Sequence, residues 1–203
     1  MTGIVSLMGD NLALGEVGLA LAGLASLLCF LCGAATSAIL INWGRRLRLR
    51  SHYALPLVLE AILLVGFGLL GSNLERHRLL TVPATIGLLC FVMGLQNAMV
   101  TKISRAEIRT THVTGIVTDI GIELGKLCYM NLRREHHDQL VKADRRKLSL
   151  LASLLCSFFA GGLFGAIGFK LIGFVATIPL ALGLLMLAIV PLADDIARQH
   201  RAQ

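Results

Sequence analysis

The chain has 203 residues, of which 56% are hydrophobic and 15% charged, with a formal net charge of +7. Its mean hydropathy is +0.77. Soluble domains are about 45–50% apolar and about 25% charged, so this composition excludes an ordinary water-soluble fold and points to a membrane protein. The positive charge then reads as Lys and Arg gathered in cytoplasmic loops, not as a nucleic-acid surface.

The first turns carry Asp10 and Asn11 and no basic stretch, so a secretory signal peptide is not expected there. From residue 17 to 42 there is no charge, which exceeds the roughly 20 residues a helix needs to cross the hydrocarbon core. This first span ends at Trp43, Arg45, Arg46, Arg48 and Arg50, an interfacial aromatic followed by an arginine-rich loop. A second span is expected over 53–71, with Pro56 near its start, where a missing amide costs least, and Glu60 inside it. A third runs over 79–100 and carries Gln96 and Asn97 near its end. After a charged stretch and a solvated basic loop over 129–147, the fourth and fifth spans are expected over 148–169 and 171–192, broken apart at Lys170.

The fold class is therefore all-α, a polytopic transmembrane helical bundle with five spans. Of the 19 Lys and Arg residues, only Arg76, Arg78 and Lys170 fall on one side if the 45–50 loop is placed in the cytoplasm. That asymmetry assigns the loops 43–52 and 101–147 and the C-terminus to the cytoplasm and the protein to a bacterial inner membrane.

An internal repeat organises the chain. Thr2-Gly3-Ile4-Val5 recurs as Thr114-Gly115-Ile116-Val117, with Ser6 matching Thr118 and Gly9 matching Gly121. Leu24 to Cys29 recurs as Leu151 to Cys156, and Leu55-Pro56-Leu57 resembles Ile178-Pro179-Leu180. Two membrane repeats, 1–78 and 79–203, follow. The unit is a leading helix, a Thr-Gly segment and two further helices, an odd number of spans, so the copies must be inverted, a recurring plan in transporters. The first copy lacks its leading helix, which leads to the expectation that Met1 is an internal methionine of a six-helix protein.

The run from Gly94 to Leu127 resembles the signature of the YoaK-like family of bacterial membrane proteins, a family of unknown function. Gly94-Leu95-Gln96-Asn97-Ala98, the Thr114, Gly115, Thr118 and Gly121 pattern, and the following arginine-rich loop carry the resemblance. It covers nearly the whole chain and departs at the N-terminus, where such proteins usually have another helix. It implies a fold and a location, and no activity.

Polar groups inside a bilayer are costly, about 2.5–3.5 kcal/mol for a central charge on insertion scales. Glu60 has two readings, a proton or cation site, and a neutral hydrogen-bonded acid that joins helices. Gln96 and Asn97 either bond a neighbouring helix or line a substrate path. Thr114, Thr118 and Gly121 share one helical face, with Asp119 and Glu123 on the adjacent one. This segment reads as a half-helix whose amides and hydroxyls meet a ligand, or as an amphipathic helix lying at the interface.

Other groups invite plainer readings. Gly161 and Gly165 form GxxxG inside a span, which suits helix packing and not a nucleotide loop. Glu135, His136, His137 and Asp138 have no second cluster at metal-ligand spacing. Five cysteines, an odd number, do not close a disulfide framework. Cys29 and Cys32 read as packing residues, with redox or metal chemistry the alternative.

The functional expectation is a small transporter or permease with Glu60, Gln96, Asn97, Thr114, Gly115, Thr118 and Asp119 along a substrate path. The alternative is a membrane scaffold that binds a cytoplasmic partner through the basic loop. No enzyme activity, cofactor, metal or nucleic acid is expected. The expected partners are the lipid bilayer, a small molecule of unknown identity, and a second copy packed through small-residue helix faces.

Overall fold

The structure is a computed structural model that describes residues 1–47, 51–72, 78–103, 113–129 and 143–201. Among these residues it is all-helical, with α1 at Thr2–Ala13, α2 at Val17–Arg46, α3 at Ala54–Ser72, α4 at Arg78–Ile103, α5 at Val113–Cys128, α6 at Arg145–Ile172 and α7 at Thr177–Arg201. Four stretches, Val17–Arg46, Ala54–Ser72, Thr81–Ile103 and Arg145–Ala193, are long and apolar enough to cross a membrane. Most of the basic loop expected over 129–147, including Glu135, His136, His137 and Asp138, lies outside the described residues.

Local sequence explains the helix ends. Gly15 takes φ 79° and closes α1. Its amide donates to the Leu12 carbonyl at 3.2 Å and the Glu16 amide to the Asn11 carbonyl at 2.8 Å, the paired bonds of a Schellman cap. α2 then begins at Val17 and ends with Arg45 and Arg46, cations at the negative end of the helix dipole. Pro56 sits in the first turn of α3, where no intrahelical amide is lost.

The expected break at Lys170 is displaced. α6 continues through Lys170 to Ile172, because a lone lysine has a good helix propensity and need not end a helix. The chain turns instead at Gly173, with φ 59°, and passes through a 3-10 segment, Gly173–Ala176, into α7. Only glycine adopts that backbone conformation without steric cost.

The described residues form two compact units, Met1–Ile108 with Phe169–Gln203, and Arg109–Gly168. This division follows packing and not the sequence repeat. In the first unit α2 packs chiefly on α4, and α3 on α7. The α2–α4 crossing is built on reciprocal glycines. A methyl group on Gly33 would run into the Phe91 carbonyl, and one on Gly94 into the Phe30 carbonyl. Cys29 Sγ faces the Gly87 position one turn earlier on both helices, so α2 and α4 run parallel.

α3 and α7 run antiparallel. The start of α7 meets the end of α3, where Phe174 covers Gly71 and Thr177 covers Gly68. At the other end Asp195 of α7 accepts hydrogen bonds from the Ser51 amide at 2.8 Å and the Ser51 hydroxyl at 2.6 Å. Phe67, Phe169 and Phe174 stack edge to face, with centroids 5.7 to 6.2 Å apart.

Outward faces carry large apolar side chains, among them Leu31, Ile62, Leu69, Phe164 and Leu187. Small and polar residues such as Ser37, Ala61, Ala181 and Ala188 fill the interior. With lipid outside, close backbone approach between small residues holds helices together, and large side chains are free to face the acyl chains.

A candidate polar site inside the helix bundle

Two contacts gather the basic ends of α2 and α4 around the start of α3. Gly44 lies against His52, and the Tyr53 hydroxyl donates to the Lys102 carbonyl at 3.4 Å. From this end each helix enters the apolar region. About six residues in, or about 9 Å at about 1.5 Å per residue, α3 presents Glu60 and α4 presents Gln96.

Glu60 and Gln96 meet. Gln96 Nε2 donates to Glu60 Oε1 across the α3–α4 contact. The Glu60 side chain is almost wholly enclosed, with 1% of its surface exposed. Its second oxygen, Oε2, has no hydrogen-bond partner among the described residues.

Ser37 of α2 joins this level by register. Two geometries place it there independently. α2 and α3 are antiparallel with Gly44 against His52, so seven residues back along α2 corresponds to seven forward along α3, next to Glu60. α2 and α4 are parallel with Gly33 against Phe91 and Leu95, so one further turn brings Ser37 level with the turn that carries Gln96. Ser37 is fully buried, and its Oγ also has no hydrogen-bond partner among the described residues. Thr36 beside it bonds back to the Cys32 carbonyl at 2.8 Å, and Ser26 to the Ala22 carbonyl at 2.9 Å. That is how helix hydroxyls are ordinarily satisfied, and Ser37 departs from it.

Asn97 is half-buried on α4 beside Gln96. Thr114, Gly115, Thr118 and Asp119 all lie on α5, in the second unit. Thr114, Gly115 and Thr118 are exposed, and the Thr118 hydroxyl bonds back to the Thr114 carbonyl at 2.8 Å. Asp119 is 3.4 Å from Lys147 Nζ, with both side chains nearly half exposed.

The buried acid of α5 is Glu123, not a member of an exposed polar face. It accepts from Lys126 Nζ at 2.9 Å and from the Asp144 amide at 2.8 Å. Asp144 in turn caps α6, accepting from the Arg146 amide at 2.9 Å and the Lys147 amide at 3.0 Å. The Lys126 hydrogen bond first, and the Asp144 amide second, hold the Glu123 carboxyl below the usual carboxylate range. The Lys147 and Arg146 amides do the same for Asp144. The signal for Glu123 was legible. Ile116, Ile120 and Glu123 stand at i, i+4 and i+7 on one face, and Ile116 and Glu123 are its buried members.

Two cavities lie elsewhere in the first unit. One of about 410 Å³ runs between α1, α2 and α4 and is apolar apart from Asn11 and Ser26. Another of about 260 Å³ lies between α3 and the start of α7, near Ser72 and Thr177. Neither is lined by Glu60 or Gln96. Among the described residues no three His, Cys, Asp or Glu side chains are placed to hold a metal ion, and the five cysteines are free.

The chain matches the family described as "Protein of unknown function (DUF1275)" over residues 1–190, and it belongs to that family. No curated protein and no solved structure matches it.

Proposed function

We propose that this member of the family is a small inner-membrane permease whose solute path passes the Glu60–Gln96 pair. The observation that carries the reading is an acid enclosed within a span, bonded to a neutral amide and to no basic side chain. Such a group is expensive in lipid, and intramembrane carboxyls mark ion and substrate pathways. Plain helix packing is already supplied nearby by the Gly33–Gly94 crossing.

The reading includes an inverted pair of three-helix units, the plan that the sequence repeat suggests. The proposed counterparts α3 and α7 pack antiparallel, as inversion requires. The Thr-Gly copies open two short helices, α1 with 12 residues and α5 with 16. Both are shorter than the roughly 20 residues of a span, as half-helices at transporter sites are. Counted this way, Arg145–Ala193 supplies two spans, α6 and α7, for five in all, and the arginine-rich ends face the cytoplasm. The closer resemblance to the YoaK-like family agrees with this plan. Gln96 and Asn97 belong to the proposed path in the first unit, and Thr114, Gly115, Thr118 and Asp119 of α5 are its candidates in the second.

The test is uptake by the full chain in proteoliposomes across a broad panel of small solutes. Uptake is expected to fall at least about tenfold, the effect of losing about 1.4 kcal/mol, in Glu60→Gln, with insertion unchanged. The glutamine can still accept the Gln96 hydrogen bond, so the fold is kept. Wild-type uptake in both Glu60→Gln and Asp119→Asn would remove the residues on which the reading stands.

A further inference from the structure

We propose that Ser37 Oγ and Glu60 Oε2, with Gln96 positioning the carboxylate, bind a monovalent cation, H⁺ or Na⁺, that neutralises Glu60. The proposal deepens the transport reading and rests on it for its purpose, since the bound cation would be the coupling ion.

Three features point to a ligand. First, Glu60 has no counter-charge among the described residues. Among the described side chains on the helices packed against α3, the titratable groups are Cys29, Cys32, Arg45 and Arg46 on α2, Cys90 and Lys102 on α4, and Asp195 on α7. His52 and Tyr53 precede α3, and Lys170 follows Phe169, which stacks on Phe67. None of these bonds Glu60, whose one bonded partner is the neutral amide of Gln96. A carboxylate removed from water without a counter-charge is too costly to persist, so a cation must meet it, either as a proton on oxygen or as a bound metal ion.

Second, the unused oxygens come in a pair. Glu60 Oε2 and Ser37 Oγ are both buried and both unbonded, and the helix register puts them at one level. An oxygen pair of one carboxylate and one hydroxyl suits a hard cation, and the hydroxyl can also accept a proton's hydrogen bond.

Third, Gln96 fixes which oxygen is free. Its amide holds Oε1, so rotation of the carboxylate is restrained and Oε2 is left for the ligand. Gln96 is thus a positioning residue. The reciprocal glycines one turn away bring α2 against α4 and hold Ser37 in place.

The experiment is infrared difference spectroscopy on the full chain in lipid nanodiscs, with the Glu60 carboxyl signal assigned by its loss in Glu60→Gln. One arm varies pH without Na⁺. The other adds Na⁺ at fixed pH against an equal concentration of choline. The Glu60 signal is expected to switch in one arm, which names the cation. Ser37→Ala is expected to move the half-point of that switch by about tenfold, the worth of one hydrogen bond to a charged group, without lowering thermal stability. A Glu60 signal fixed in one form through both arms overturns the proposal, and so does a half-point unmoved by Ser37→Ala. Either result leaves Glu60 and Gln96 as a bonded pair that only joins two helices.

Uptake measured on the same preparations separates the two readings. A cation response without solute uptake supports the site and removes the permease. Uptake without a cation response retains the permease and overturns the site.

Discussion

Among the described residues Glu60 and Glu123 are the two glutamates with almost no exposed surface, 1% and 2% respectively, yet they are held in opposite ways. Glu123 is shielded locally, by Lys126 and the Asp144 backbone, and both of its oxygens are bonded. Glu60 is enclosed between helices, with one oxygen on an amide and the other bonded to none of the described residues. The first arrangement is a closed account. Lysine neutralises the charge and the amide just before α6 takes the second oxygen, so neither oxygen is left unbonded. The second leaves a carboxyl oxygen unused within a span. Burial alone therefore does not mark a functional acid. The distinction lies in whether its partners exhaust its bonding capacity.

The comparison breaks first at the glycines around each acid. Gly33→Ala or Gly94→Ala is expected to cost about 1–3 kcal/mol or more, because the added methyl meets a backbone carbonyl that cannot move without parting α2 from α4. Gly125→Ala, two residues from Glu123, has open space around it and is expected to raise helix stability by up to about 1 kcal/mol. Thermal melts of the purified protein check both. Equal losses at the two sites would mean that the crossing is looser than the contact geometry requires.

Acid sharpens the contrast. Folded Glu123 and Asp144 are held below their ordinary carboxylate values of 4.5 and 3.8. Each therefore binds fewer protons folded than unfolded. Their contribution to stability is complete above those ordinary values and is lost as pH falls through the lower folded ones. Amide exchange at Asp144, Arg146 and Lys147, corrected for its intrinsic pH dependence, is expected to lose protection as pH falls below about 4. In Glu123→Gln the Asp144 amide is expected to lose protection already at neutral pH. Protection unchanged down to pH 2 would show that these bonds do not hold the start of α6.

The smallest effect is expected at Asp119. Its ion pair with Lys147 is nearly half exposed on both sides. Such pairs contribute at most about 1 kcal/mol, so Asp119→Asn should scarcely move the melting temperature. A fall in uptake without a fall in stability would keep Asp119 on the proposed path. A large fall in stability would place it with Glu123 as a structural acid.

Much of the fold was legible before any coordinate. Apolar runs of span length located α2, α3 and α4 to within a few residues, because length and apolarity are the requirements lipid imposes. Glu60, Gln96 and Asn97 stood out for the same reason, as polar groups where polarity is costly. Ser37 did not. Serine is common in membrane helices and usually bonds its own backbone, so nothing in Gly33-Ala34-Ala35-Thr36-Ser37 separates it from Thr36. The two differ only in direction. Thr36 bonds back along its helix, and Ser37 is turned into the bundle. Charge interrupts the apolar run at Lys170, but the backbone freedom of Gly173 decides where α6 gives way to α7.

By itself, the sequence determined an all-helical membrane protein with an internal repeat and a polar residue in most of its apolar runs. Those properties depend on composition and periodicity along one segment at a time. Tertiary structure decided which polar residues meet. The reciprocal glycines set α2 parallel to α4 at close range, and the antiparallel α3 then brings Glu60 to Gln96 at the level of Ser37. Helix register between segments distant in sequence is fixed by packing, and it is what separates an acid with an oxygen to spare from one whose bonds are complete.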